Sequence, residues 1–158
     1  MVFLDVIPFW PTVTVVGLVI LVSRRKWSYA TVFLASMLCV GGTAVLLKSG
    51  IHAPRPYVEL GMNYTTGGFS YSEYFYNHEY GSFPSQHAMS SFAVIPFFHS
   101  AFEDYRVTAF LAVFAIVVAY SRVYLYLHYV SDVVVGSALG LGISFLFLWV
   151  HEIVFDSN

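Results

Sequence analysis

The sequence predicts an all-α protein: a polytopic transmembrane helical bundle of about five spans, with one extracytoplasmic, tyrosine-rich loop. Three observations carry this expectation. Of the 158 residues, 58% are hydrophobic and only 10% are charged, whereas an ordinary soluble domain carries about 25% charged residues. The apolar residues fall into five runs. Aromatic residues make up 19% of the chain, and Trp and Tyr favour membrane–water interfaces. The composition excludes intrinsic disorder, which needs low hydrophobicity and high charge. A formal net charge of -2 argues against a nucleic-acid partner, whose phosphates call for a basic surface. The single cysteine, Cys39, sits in an apolar run and has no second cysteine to pair with. The length suits one domain, residues 1–158.

A helix rises about 1.5 Å per residue, so about 20 apolar residues cross a bilayer core of about 30 Å. The first run, Phe3 to Val22, is interrupted only by Asp5, two threonines, two prolines and a glycine, and Ser23-Arg24-Arg25-Lys26 stops it. It does not fit a cleaved signal peptide, because it lacks a basic n-region and its positive charges follow the apolar stretch. The second run, Tyr29 to Leu47, ends at Lys48. Tyr57 to Phe83 differs: it holds three acidic residues, no lysine or arginine, and six of the chain's twelve tyrosines. It is expected to be an extramembrane loop, with Tyr71, Tyr74, Phe75, Tyr76 and Tyr80 forming an aromatic belt or a lid for a lipid substrate. Ala88 to Phe102 is the third run, kinked at Pro96. Val107 to Tyr120 is the fourth, with a continuation past Arg122 to Leu127 left open. Val133 to Val150 is the fifth, with Gly136 and Gly140 spaced for close helix contact.

Orientation follows from the cations. Arg24, Arg25 and Lys26 place the first connection in the cytoplasm by the positive-inside rule. Alternating spans then put Lys48 to Phe83 and Ser121 to Asp132 outside, and Glu103, Asp104 and Arg106 inside. Lys48, Arg55, Ser85, His87, Arg122, His128 and Asp132 thus share the outer side, although they come from three distant segments. Three cations gathered away from the cytoplasm oppose the topological preference, and an anionic ligand is the simplest reason. Arginine makes paired hydrogen bonds to phosphate and lysine supplies a point charge. Pro84-Ser85-Gln86-His87 opens the third run, and the N–H groups and dipole of a helix start attract anions.

His128 and Asp132 are four residues apart, and on a helix they would share a face. A carboxylate on one imidazole nitrogen fixes the tautomer and leaves the other nitrogen to attack phosphorus. His87 would protonate the departing oxygen. No metal site is evident, since Glu59, Glu73 and Glu79 are scattered. Of the remaining histidines, His78, His99 and His151 are expected to be ordinary interface residues. His52, between Lys48 and Arg55, is either a pocket residue or plain surface.

Lys48-x6-Arg55-Pro56, then Pro84-Ser85-Gln86-His87, then Ser121-Arg122-x5-His128-x3-Asp132 resembles the three-part signature of the type 2 phosphatidic acid phosphatase superfamily. That group includes lipid phosphatases, undecaprenyl-diphosphate and lipid A phosphatases, glucose-6-phosphatase and vanadium haloperoxidases. The signature covers residues 48 to 132. The resemblance implies a helical bundle with the site at its outer end, His128 as nucleophile, Asp132 as its orienting partner and His87 as general acid. Lys48, Arg55, Ser85, Gln86 and Arg122 would bind the phosphate. Gln86 stands where the family usually has glycine, and five spans are counted where many membrane members have six. The expected function is an integral-membrane, metal- and cofactor-independent phosphatase of the cell (inner) membrane, acting at the extracytoplasmic face. Its partners are the bilayer and a phosphorylated lipid: undecaprenyl diphosphate, phosphatidylglycerophosphate, phosphatidic acid or a lipid A type molecule. The alternatives are a lipid phosphotransferase using the same residues and a non-catalytic phospholipid-binding protein.

Overall fold

A computed structural model describes residues 9–61, 65–66, 69–70 and 80–156. Its elements are α1 (Phe9–Ser23), α2 (Trp27–Ile51), a short α3 (Pro56–Glu59), the strands β1 (Thr65–Thr66) and β2 (Phe69–Ser70), α4 (Gln86–Phe102), α5 (Tyr105–Tyr124) and α6 (Val130–His151). A π-helical turn, Glu152–Asp156, extends α6. The two strands pair antiparallel. Among the described residues the architecture is a helical bundle of the membrane type.

Each long helix corresponds to an apolar run, with the ends set by local chemistry. The connections at the end of the bundle that carries Arg25 and Glu103 are tight. Arg25 and Glu103 both take the left-handed conformation, at φ 56 and 52, which turns the chain between α1 and α2 and between α4 and α5. The Asp104 carboxylate accepts the Arg106 amide at 2.8 Å and caps α5. At the other end α2 runs on through Lys48 to Ile51, so the cation expected to terminate the span lies in its last turn. α5 includes Ser121 and Arg122 and stops at Tyr124, short of Leu127. α1 begins at Phe9, and residues 3–8 of the first run lie outside the described residues.

Among the described residues, three helices are long and apolar enough to cross a membrane: α2, α5, and α6 with its extension to Phe155. α1 is apolar but shorter. α4 has 17 residues and is the buried centre, packed on α1, α2, α5 and α6. It runs through Pro96 and buries Met89, Ala93, Phe97 and Ala101 in one core with Phe33, Met37 and Val40 of α2. Outward faces stay apolar, as at Val19, Leu46, Phe110 and Trp149, which suits a lipid solvent and not water.

α4 and α6 touch through glycine. A Cβ on Gly136 would lie 2.7 Å from the Ser85 carbonyl oxygen, and one on Gly140 would sit directly on the Met89 carbonyl oxygen. Of the expected loop, Tyr71, Tyr74, Phe75 and Tyr76 lie outside the described residues. Tyr80 is exposed and bridges to Pro54.

Candidate active site

Alternating helix direction brings the C-terminal ends of α2 and α5 and the N-terminal ends of α4 and α6 to one end of the bundle. There the chain is stitched by main-chain groups. Lys48, in the last turn of α2, donates from Nζ to the Gly81 carbonyl. His52 caps α2 in the left-handed conformation, exposed, and turns the chain into Ala53. The Ala53 carbonyl accepts both the Gly81 amide at 2.8 Å and the Ser82 amide at 3.0 Å. Arg55 caps α3 and donates from Nη1 to the Leu127 carbonyl at 3.2 Å. The Tyr57 amide donates to the Tyr126 carbonyl at 3.1 Å, and the Tyr129 hydroxyl donates to Glu59.

The start of α4 is fastened to α6. Ser85 is the N-cap, fully buried, and its amide donates to the Asp132 carbonyl at 3.0 Å. Its hydroxyl is buried and has no hydrogen-bond partner among the described residues. Such a group is costly unless something polar meets it. Gln86 and His87 follow in the first turn, and the His87 ring stacks on Phe9 of α1 with centroids 4.7 Å apart.

His128 lies in the connection from α5 to α6. Arg122 is fully buried near the end of α5. Its carbonyl accepts the amides of Leu127 at 3.1 Å and His128 at 3.3 Å, which folds the connection back. His128 is 4% exposed, and its Nδ1 sits 2.6 Å from the Ser82 carbonyl oxygen. A carbonyl can only accept, so Nδ1 carries the hydrogen and Nε2 keeps the lone pair.

One expectation needs correction. His128 and Asp132 do not share a helix face, because α6 begins only at Val130. Tyr129 is the extended N-cap, and its amide donates to Asp132 Oδ2 at 2.9 Å. A carboxylate at that helix position satisfies an N-terminal amide that would otherwise lack a partner. The two side chains still meet, but Nδ1 and Oδ2 are 3.8 Å apart, too far for a hydrogen bond. The group on Nδ1 is the Ser82 carbonyl, and the Ser82 hydroxyl donates to Asp132 Oδ2.

Burial pushes the His128 pKa down to about 4. The Asp132 carboxylate and the Ser82 carbonyl oppose that, and the charges of Arg55 and Lys48 reinforce it. The imidazole is therefore neutral at physiological pH and keeps its Nε2 lone pair.

Lys48, Arg55, Ser85, Gln86, His87, Arg122, His128 and Asp132 thus all fall at this end of the bundle. His99 is exposed and bonds Thr108 at 3.0 Å, and His151 is buried and stacked on Tyr29; both are at the opposite end. His78 lies outside the described residues. Among the described residues, no three His, Cys, Asp or Glu side chains gather as metal ligands. Sequence reasoning missed Ser82. Its only mark in the sequence is its place two residues before Pro84.

Comparison with curated proteins and with solved structures returns no match. A family model does match: the PAP2 superfamily, over residues 25–155, which takes in every long helix but the first. With three helices among the described residues able to cross a bilayer and a match over most of its length, this chain belongs to the PAP2 superfamily, a membership that supports an integral membrane protein and a hydrolase of the phosphatase type.

Proposed function

We propose that the protein removes phosphate from a lipid phosphate or diphosphate at the extracytoplasmic membrane face, through a phosphohistidine on His128. The observation that carries this reading is the state of His128: buried, locked through Nδ1 on a carbonyl, and set among Lys48, Arg55 and Asp132. An imidazole held in that way is a neutral nucleophile beside cations suited to a phosphoryl group. Binding alone would need the cations but not the locked imidazole.

In the first step, the Nε2 lone pair of His128 forms a bond to phosphorus as the bond from phosphorus to the leaving oxygen breaks. His87 gives that oxygen a proton. In the second step, water attacks the phosphorus, His87 takes the water's proton, and the bond from Nε2 to phosphorus breaks to release inorganic phosphate. Lys48, Arg55 and Arg122 stabilise the charge on the transferring group. The Ser85 hydroxyl, buried and without a hydrogen-bond partner among the described residues, would donate to a phosphate oxygen at the start of α4.

The lipid part of the reading has separate support. An apolar cleft of about 290 Å³ lies between α1, α4 and α5, lined by Phe9, Val13, Val16, Val94, Phe98 and Leu111 among others. Phe9 lines it and stacks on His87, which supports a hydrocarbon site beside the proposed phosphate site. Arg24, Arg25 and Lys26 at the opposite end of the bundle support an outward-facing site.

The test is phosphate release by purified protein in detergent from undecaprenyl diphosphate, phosphatidylglycerophosphate and phosphatidic acid. Release from at least one is expected, with loss of nearly all activity in His128→Ala. A wild type that releases phosphate from none of them refutes the reading. A His128→Ala variant as fast as wild type refutes the mechanism.

A further inference from the structure

We propose that Ser82 is the positioning residue of this site, holding His128 with its carbonyl and Asp132 with its hydroxyl, so that the carboxylate acts on the imidazole through Ser82. The inference rests on the phosphohistidine reading and deepens it.

Four observations support it. Ser82 is fully buried. Its carbonyl lies 2.6 Å from His128 Nδ1, while the nearest Asp132 oxygen stands off at 3.8 Å. Its hydroxyl donates to that same oxygen, Oδ2, which also accepts the Tyr129 amide. Its own amide is held by the Ala53 carbonyl at 3.0 Å. One residue therefore touches both members of the histidine–aspartate pair and is itself fastened to the segment that carries Lys48 and Arg55.

The chemistry needs such a part. When Nε2 bonds phosphorus, positive charge spreads over the ring, and the Nδ1 hydrogen becomes a stronger donor. A carbonyl already in place meets it without reorganisation. The carboxylate supplies the compensating charge, and the two hydrogen bonds to Oδ2 fix where that charge sits. With the Ser82 hydroxyl absent, Oδ2 keeps a free acceptor site. The unshared charge then raises the affinity of the imidazole for a proton, while a carboxylate that is no longer fixed lets the ring turn out of line with phosphorus. The other charges facing His128 are Lys48 and Arg55, and the substitution leaves both in place.

The test compares Ser82→Ala, Ser82→Thr and wild type on whichever panel lipid wild type hydrolyses, with inorganic phosphate as competitive inhibitor. Ser82→Ala should lower kcat by about 10- to 100-fold, the rate equivalent of a hydrogen bond to a charged group. Inhibition by phosphate should be unchanged, because the cations are intact. The acid limb of the pH profile should move to higher pH, and Ser82→Thr, which keeps the hydroxyl, should recover most of the rate and the wild-type limb. If Ser82→Ala does not fold, Ser82→Cys replaces it, with a weak donor of similar size and the same expected slowing. Wild-type kcat in the variant without a full donor, or a Ser82→Thr enzyme no better than Ser82→Ala, overturns the proposal and leaves the phosphatase reading standing. A wild type inactive on every panel lipid refutes both together.

Discussion

The amide of Ser85 donates to the main-chain carbonyl of Asp132 at 3.0 Å, so the first residue of one site segment is fastened to the helix that carries another. The bond requires α4 and α6 to approach closely, and they do so at Gly136 and Gly140. The geometry of the site therefore depends on two residues that carry no chemistry.

Gly140→Ala should damage the protein and Gly142→Ala should not. A Cβ at Gly140 would strike the Met89 carbonyl oxygen, whereas one at Gly142 meets nothing within 4 Å. Overpacking costs about 1–3 kcal/mol, while glycine to alanine in an open helix position gains about 0.5–1 kcal/mol. Thermal unfolding in detergent should show a lower Tm for the first and an equal or higher Tm for the second. Equal Tm values for the two variants would contradict the packing described.

His128 should stay neutral well below the usual histidine range. Its pKa is lowered to about 4 from 6.5, chiefly by burial, so the nucleophile is retained as pH falls and is lost only near pH 4. The unfolded chain takes up that proton first, so stability should fall as pH drops from 6.5 towards 4. Titration of the His128 ring by NMR on labelled protein checks the first point. Titration at 6.5 would mean that the ring is solvated.

His87 is assigned to the leaving-group oxygen. His87→Ala should therefore be impaired most on a lipid alkyl phosphate and least on p-nitrophenyl phosphate, whose leaving group departs without a proton. An equal loss on both substrates would remove His87 from the acid role.

Arg55→Ala should reduce kcat by about 100- to 1,000-fold, as expected for loss of a donor that stabilises the transition state. Arg55→Lys should recover only part, because lysine cannot bond both the Leu127 carbonyl and a phosphate oxygen through one planar fork. Steady-state kinetics on the preferred lipid would show this, and full activity in Arg55→Ala would exclude a phosphate contact.

The site end of the bundle should face outward. With Cys39 replaced, a cysteine at exposed Glu59 should react with an impermeant maleimide in intact cells, and one at exposed Asp104 should not. The reverse pattern would place the chemistry in the cytoplasm.

Several elements were legible because they are local properties of the chain. The stop signal at Arg24 to Lys26 marks the end of α1, and the apolar runs mark α2 and α4 to α6 to within a few residues. The start of α6 was not legible. Hydropathy starts the run at Val133, yet Asp132 caps the Tyr129 amide and the helix starts at Val130. A capping carboxylate interrupts hydropathy without interrupting the helix.

The order of residues alone determined an integral-membrane helical bundle and three segments rich in cations, histidine and serine, because hydropathy, charge and spacing are written residue by residue. Only the tertiary structure decided what touches His128. Its Nδ1 partner is a main-chain carbonyl, a group that every residue carries, so no side-chain pattern singles out Ser82. The same holds for Lys48 on Gly81 and Arg55 on Leu127, contacts between segments whose pairing exists only once the helices have packed.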